Sequence, residues 1–272
     1  MTEKPIEGIG LGLRFPHFDT ILKEQPAIPW FEVITDNFLD DGPHHQKLEK
    51  LRQDYPIALH SIGFNLGGVD DFNQDYLKRF KQIYDRFQPQ WISDHLCWSA
   101  HGGRYHHDLL PIPRTKEGLE NVCCRINYLQ DYFQRSLVVE NITAYVDFKE
   151  TDYSEIEFIK AIIEKTGCYL LLDISNVHIN QKNRVEEKAQ WWSGYPLDRV
   201  KQIHLAGGKF NGELIVDTHS QTVPKDDIEV LKQITQAGYN IPAMIERDAD
   251  IPSFVELETE RQRIEASINE LS

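Results

Sequence analysis

Eight short apolar runs recur along the chain, and segments with helical spacing lie between most of them. The runs are GIGLGL (8–13), WFEVI (30–34), IALHSI (57–62), WISDHL (91–96), LVVENI (137–142), YLLLDI (169–174), VKQIHL (200–205) and AMIE (243–246). Strand–helix alternation of this kind predicts an α/β fold with a parallel sheet, and eight repeats predict closure into a single (β/α)8 TIM barrel. The 272 residues suit one such barrel and contain no linker or low-complexity break, so 1–272 reads as one domain. An open doubly wound sheet is the alternative topology. It lacks its usual marker, because no GxGxxG follows the first run.

The intervening segments have the pattern of helices that pack on a sheet. Residues 72–87 carry Phe72, Tyr76, Leu77, Phe80, Ile83, Tyr84 and Phe87 on one face. The segment 152–166 opens with Asp152 three residues before Glu155, which predicts a capping box. Another helix starts near Pro224 and stops at Gly238. Two stretches, 99–115 and 206–224, are too long and too polar to be simple connections. After barrel strands, such stretches belong at the C-terminal face, where active sites of this fold sit.

Six consecutive runs end on, or just after, an imidazole or a carboxylate: His60, His95, Glu140, Asp173, His204 and Glu246. Their spacings of 35, 45, 33, 31 and 42 residues each match about one strand-plus-helix unit. A buried strand has no solvation to offer a charge, so six accidental placements are improbable. In a closed barrel these tips converge on the axis, as metal ligands would. Asp217 and His219 form an Asp-x-His pair in the second long stretch, and Asn176 lies three residues beyond Asp173. About nine donors are too many for one ion, and carboxylates such as Glu140 can bridge, so the set predicts two or three ions. Imidazole and carboxylate without thiolate suit iron, manganese or zinc and disfavour a structural cysteine-type zinc site.

Each residue alone has a plainer reading. A single His at a strand end is more often a hydrogen-bonded polar residue, and Asp173 before Ser175 and Asn176 reads equally as a helix cap. His101, His106, His107 and His178 read as rim or surface histidines. Trp91, Trp98, Trp191 and Trp192 read as packing residues. Net charge is −14, with 29 basic against 43 acidic residues, which weighs against gripping a nucleic-acid backbone. No apolar run is long enough for a membrane span, and MTEKPIEGIGLGLRF lacks a secretion signal. The four cysteines (Cys97, Cys123, Cys124, Cys168) form no CxxC pair, which fits a cytoplasmic protein. Cys97, two residues past His95, shares its face if the strand continues, yet reads better as a small buried hydrophobe.

The strings LHSIGFNLG (59–67), SDHLCWS (93–99), DLLPIP (108–113), VVEN (138–141), LLLDISNV (171–177), IHLAG (203–207), DTHS (217–220) and IERD with DIP (245–252) carry a further signal. Together they resemble the multinuclear non-haem iron-dependent oxidative enzymes, a family that includes the oxidase of methanobactin biosynthesis. The resemblance runs from Gly8 to about Leu257 and implies a barrel like those of xylose isomerase and the apurinic-site endonucleases. It implies iron ligands at His60, His95, Glu140, Asp173, Asn176, His204, Asp217, His219 and Glu246. It also implies two or three Fe2+/Fe3+ ions; the donor set itself leaves zinc or manganese as alternatives. The implied reaction is dioxygen-dependent modification of cysteine in a ribosomally synthesised precursor peptide, giving a heterocycle, a thioamide or loss of carbon. A small partner protein that recognises the peptide leader is implied as well. Ser175 and Arg247 depart from the family pattern beside two ligands. A metal-dependent hydrolase or isomerase of the endonuclease or xylose isomerase type, and a non-catalytic iron-binding protein, are the competing readings.

Overall fold

All eight apolar runs form strands of one closed parallel barrel. The structure, a computed structural model, describes residues 4–184 and 190–269, with the side chain of His107 outside the described set. The strands are β1 (Ile9–Gly12), β2 (Phe31–Ile34), β3 (Ile57–His60), β4 (Ile92–His95), β5 (Val138–Glu140), β6 (Tyr169–Asp173), β7 (Val200–Leu205) and β8 (Ala243–Ile245). They pair in chain order, and β8 closes onto β1. An α-helix follows each strand. These are α1 (Phe18–Glu24), α2 (Pro43–Asp54), α3 (Gln74–Phe87), α4 (Lys116–Phe133), α5 (Glu155–Thr166), α6 (Ile174–Arg184), α7 (Lys225–Gln236) and α8 (Phe254–Asn269).

The two-residue period of a strand divides the apolar residues into two cores. The larger lies between strands and helices and includes Leu59, Val139, Leu172 and Ile203 with Phe80 and Ile162. The smaller fills the barrel itself with Trp30, Ala58, Trp91, Val138, Leu171 and Met244. Two residues further along those same strands stand Glu32, His60, Ser93, Glu140, Asp173 and Glu246. The apolar plug is therefore a floor, and the next inward layer is polar. Gly10 helps make room for that floor, since a Cβ there would lie 2.5 Å from the Trp30 ring.

Register brings the polar tips level. His95 is paired with Glu140 across β4 and β5, and Asp173 with His204 across β6 and β7. The capping box of α5 lies two residues later than predicted. Ser154 accepts from the Glu157 N–H at 3.3 Å, and Glu157 accepts from the Ser154 N–H at 2.8 Å. Asp152 instead accepts the Lys116 N–H of α4 at 2.8 Å. Each long polar stretch contains an antiparallel hairpin, Trp98–His101 with Arg104–Leu110 and Lys209–Phe210 with Ile215–Val216. Among the described residues, no helix is long and apolar enough to cross a membrane.

Candidate metal centre

At the C-terminal end of the barrel, buried donor atoms approach one another without hydrogen bonds between most of them. His60 Nε2 lies 3.3 Å from His95 Nε2, and both lie 3.4 Å from Glu140 Oε2. Three donors so spaced match the separation around one ion with bonds of about 2.1 Å. The other oxygen of Glu140 sits 3.2 Å from His204 Nδ1, which is 3.1 Å from Glu246 Oε2 and 3.9 Å from Asp173 Oδ2. Glu140 thus belongs to two donor groups, and Glu246 links the second to a third containing His219 and Asp248. Glu140 Oε2, Asp173 Oδ2 and His204 Nδ1 are all buried with no hydrogen-bond partner. Lone pairs crowded this way repel unless a cation lies among them.

Backbone geometry and neighbouring side chains aim each donor. Ser93 donates its hydroxyl to Leu59 O at 3.4 Å and so accepts from His60 Nδ1 at 2.8 Å, leaving His60 Nε2 as the free donor. Asp173 has two roles: Oδ1 accepts the Asn176 N–H at 2.6 Å, capping α6, while Oδ2 faces the centre. The cap and ligand readings of Asp173 are therefore compatible. At the edge, Arg14 Nη2 holds Asp248 Oδ1 at 2.5 Å, and Asp248 Oδ2 accepts from His219 Nδ1 at 2.7 Å. That leaves His219 Nε2 directed at Asp217 Oδ1, 2.7 Å away and without hydrogen-bond alignment. The Asp-x-His pair meets although His219 has a left-handed backbone (φ 47°) rather than an extended one.

The electrostatics follow from crowding. Burial, with the adjacent His95 and His204 rings, holds His60 well below its usual value. Burial opposes charge on His95 too, but Glu140 and Asp94 outweigh it and raise the group to about 9. His204 is pushed well up against burial by Glu32, Glu246 and Glu140. Burial and Glu140 drive Asp173 well above the carboxylate range, whereas His219 and His204 overcome burial to hold Glu246 well below it. Neighbouring groups displaced in opposite directions by burial and by one another cluster at functional sites.

Eight of the nine sequence-predicted residues meet in this arrangement. Asn176 lies beside it, lining the mouth cavity, but its Oδ1 already accepts from Thr143 Oγ1 at 2.6 Å and its amide donates to Asn141 O at 3.0 Å. His178 points elsewhere, to Asp227 Oδ1 at 2.6 Å and the Trp191 indole. Cys97 follows the end of β4 rather than continuing it; it is fully buried, and burial raises its thiol well above the ordinary range. Arg247 turns away to Glu260 at 2.6 Å, and Ser175 bonds to Asp227 and Ala206, so neither departure lines the centre. Sequence reasoning missed Glu32, Asp248 and Arg14. Above the donors opens a cavity of about 890 Å³, flanked by the exposed side chains of Ile62, Tyr105, Tyr145 and Val146.

A profile of the family described as RiPP precursor modification enzyme MbnB/TglH/ChrH matches residues 8–269. The chain belongs to this family. Uncharacterised UPF0276 relatives agree over nearly full length. One from Caulobacter vibrioides is 42% identical over 94% of this chain and 92% of its own. One from Acaryochloris marina is 40% identical over 95% and 94%. Among solved structures, endonuclease IV from Thermus thermophilus superposes with TM-score 0.59 at 15% identity, covering 98% of this chain and 100% of its own. A D-psicose 3-epimerase does so with TM-score 0.59 at 11% identity, covering 96% and 97%. At those identities the likeness establishes a shared (β/α)8 barrel and nothing more. Membership in the MbnB/TglH/ChrH family carries the enzymatic, peptide-modifying character.

Proposed function

We propose that this MbnB/TglH/ChrH family member is a multinuclear iron enzyme that uses dioxygen to modify cysteine in a ribosomally made precursor peptide. The observation that carries the reading is the set of buried donor atoms without hydrogen-bond partners, Glu140 Oε2, Asp173 Oδ2, His204 Nδ1, Asp217 Oδ1 and His219 Nε2, with Glu140 shared by two donor groups. His60, His95 and Glu140 would hold one ion; Glu140, Asp173, His204 and Glu246 a second; Asp217 and His219 the outermost, with Asn176 contributing its remaining lone pair. Iron bound there would supply redox chemistry toward dioxygen and an open position for a thiolate.

The chain's own residues account for substrate placement. His60 and His95 line the cavity floor, so a cysteine side chain entering from solvent reaches the first donor group. Ile62, Tyr105, Tyr145 and Val146 offer apolar and aromatic contact for flanking peptide residues and limit water around the thiolate. The Tyr145 hydroxyl accepts the Asp217 N–H at 2.7 Å, tying this rim to the outermost donors. A small separate partner would hold the peptide leader.

Anaerobic reconstitution with Fe(II), followed by metal analysis and exposure to dioxygen with a cysteine-containing precursor peptide, tests the reading. Two or more irons per chain and dioxygen uptake that needs the peptide cysteine are expected. Full occupancy by zinc alone, with no mass change in the peptide, would point to a hydrolase. Asp217→Ala should lower occupancy of the outermost ion only, because the barrel core is built elsewhere. An unchanged metal count with unchanged circular dichroism would remove Asp217 from the ligand set.

A further inference from the structure

We propose that Glu32 is the positioning residue that aims His204 at the metal centre, through a buried relay running Trp91–Gln202–Glu32–His204. The proposal rests on the metal-centre reading and goes beyond it by assigning a role to a residue outside the donor set. Four side chains, from β2, β7 and the position just before β4, meet inside the barrel, and all are at most 5% exposed.

Donor chemistry fixes every orientation along the relay. An indole N–H can only donate, so Trp91 Nε1 at 2.7 Å makes the facing Gln202 atom its carbonyl oxygen, Oε1. The Gln202 amide nitrogen must then face Glu32, and it donates to Oε2 at 2.6 Å. The same Oε2 lies 3.1 Å from His204 Nε2. A carboxylate oxygen accepts, so Nε2 bears a ring hydrogen, and Nδ1 is the nitrogen left to face the centre and bind a cation. Nδ1 lies 3.1 Å from Glu246 and 3.2 Å from Glu140. A histidine ligand whose far nitrogen is held by a carboxylate is a recurring arrangement that fixes tautomer and ring plane.

A pure packing role for Glu32 would be satisfied by any side chain of matching volume, and a role only as acceptor for the Gln202 amide would leave the His204 tautomer and metal affinity unchanged. The relay demands an acceptor at that position. Glu32→Leu keeps the volume and removes the acceptor; Glu32→Gln keeps an acceptor for His204 and removes the charge. Titration with zinc alone, then with Fe(II) under anaerobic conditions, should show Glu32→Leu binding roughly 10- to 100-fold more weakly at the His204 ion. Glu32→Gln should fall between it and the wild type. Nitrogen-15 spectra of the zinc-loaded wild type should place the His204 hydrogen on Nε2 and the metal on Nδ1.

A folded Glu32→Leu protein with wild-type affinity would overturn the proposal, as would a wild-type His204 protonated on Nδ1. If the leucine variant does not fold, the glutamine variant and the wild-type tautomer still decide the matter. A wild-type protein that takes up neither metal would overturn the metal-centre reading along with this one, whereas metal uptake indifferent to Glu32 would overturn this one alone.

Discussion

Glu140→Ala is expected to abolish peptide modification and to cut metal content from two or more ions per chain to at most one. One carboxylate here serves two donor groups, with Oε2 3.4 Å from both His60 and His95 and Oε1 3.2 Å from His204. Removing it would take a donor from both groups at once and leave three imidazoles without their shared counter-charge. Outer-sphere partners alone are worth about 10- to 100-fold in metal affinity, so losing a shared ligand should exceed that range. Metal analysis after gel filtration, with a thermal melt to confirm folding, reads the result. Glu140→Asp preserves charge but shortens the reach, and should retain one donor group better than the other. A Glu140→Ala protein with its full complement of ions would end the case for a bridged centre.

The second large effect is expected from Gly207→Ala, at a position that touches no donor atom. A Cβ there would sit 2.4 Å from Gln221 O and 2.5 Å from Thr222 O, backbone atoms that cannot rotate aside. The carbonyl of the same glycine accepts the Ser220 and Gln221 N–H groups at 3.1 Å each, pinning the stretch that carries Asp217 and His219. Overpacking of this sort costs about 1–3 kcal/mol. The displaced loop should also release the outermost ion while His60, His95 and Glu140 keep theirs. Calorimetry and metal counting together check both halves, and a variant matching wild type in both would mean the loop yields more easily than the spacing implies.

The barrel was legible because each strand is a short apolar run with clear ends, and the converging imidazoles and carboxylates were legible because a buried strand end tolerates a charge only where something neutralises it. Glu32 escaped notice for the opposite reason. It lies inside WFEVI, where the run continues past it, and only alternation with Trp30 shows that it faces the barrel interior. Asp248 lay within the recognised IERD string, but its link to His219 depends on a loop from elsewhere in the chain. Arg14 could not be read at all, because its partners lie more than 230 residues away. The α5 cap was ambiguous in sequence, where Asp152–Glu155 and Ser154–Glu157 fit one pattern; tertiary contact with α4 claimed the first aspartate. The hairpin after β4 was legible in principle. Gly102 and Gly103, with φ of 58° and 72°, form the Gly-Gly turn that favours such a connection.

The seam between β1 and β8 has a consequence for assembly during synthesis. Glu246 follows the eighth barrel strand, so the second and third donor groups stay incomplete until that strand has been made and the ring has shut. A cation that prefers the shut ring would stabilise it by mass action and act as a late clasp on that seam. Cellular supply of the ion would then govern how long newly made chains remain sealed, as well as how many are competent for chemistry.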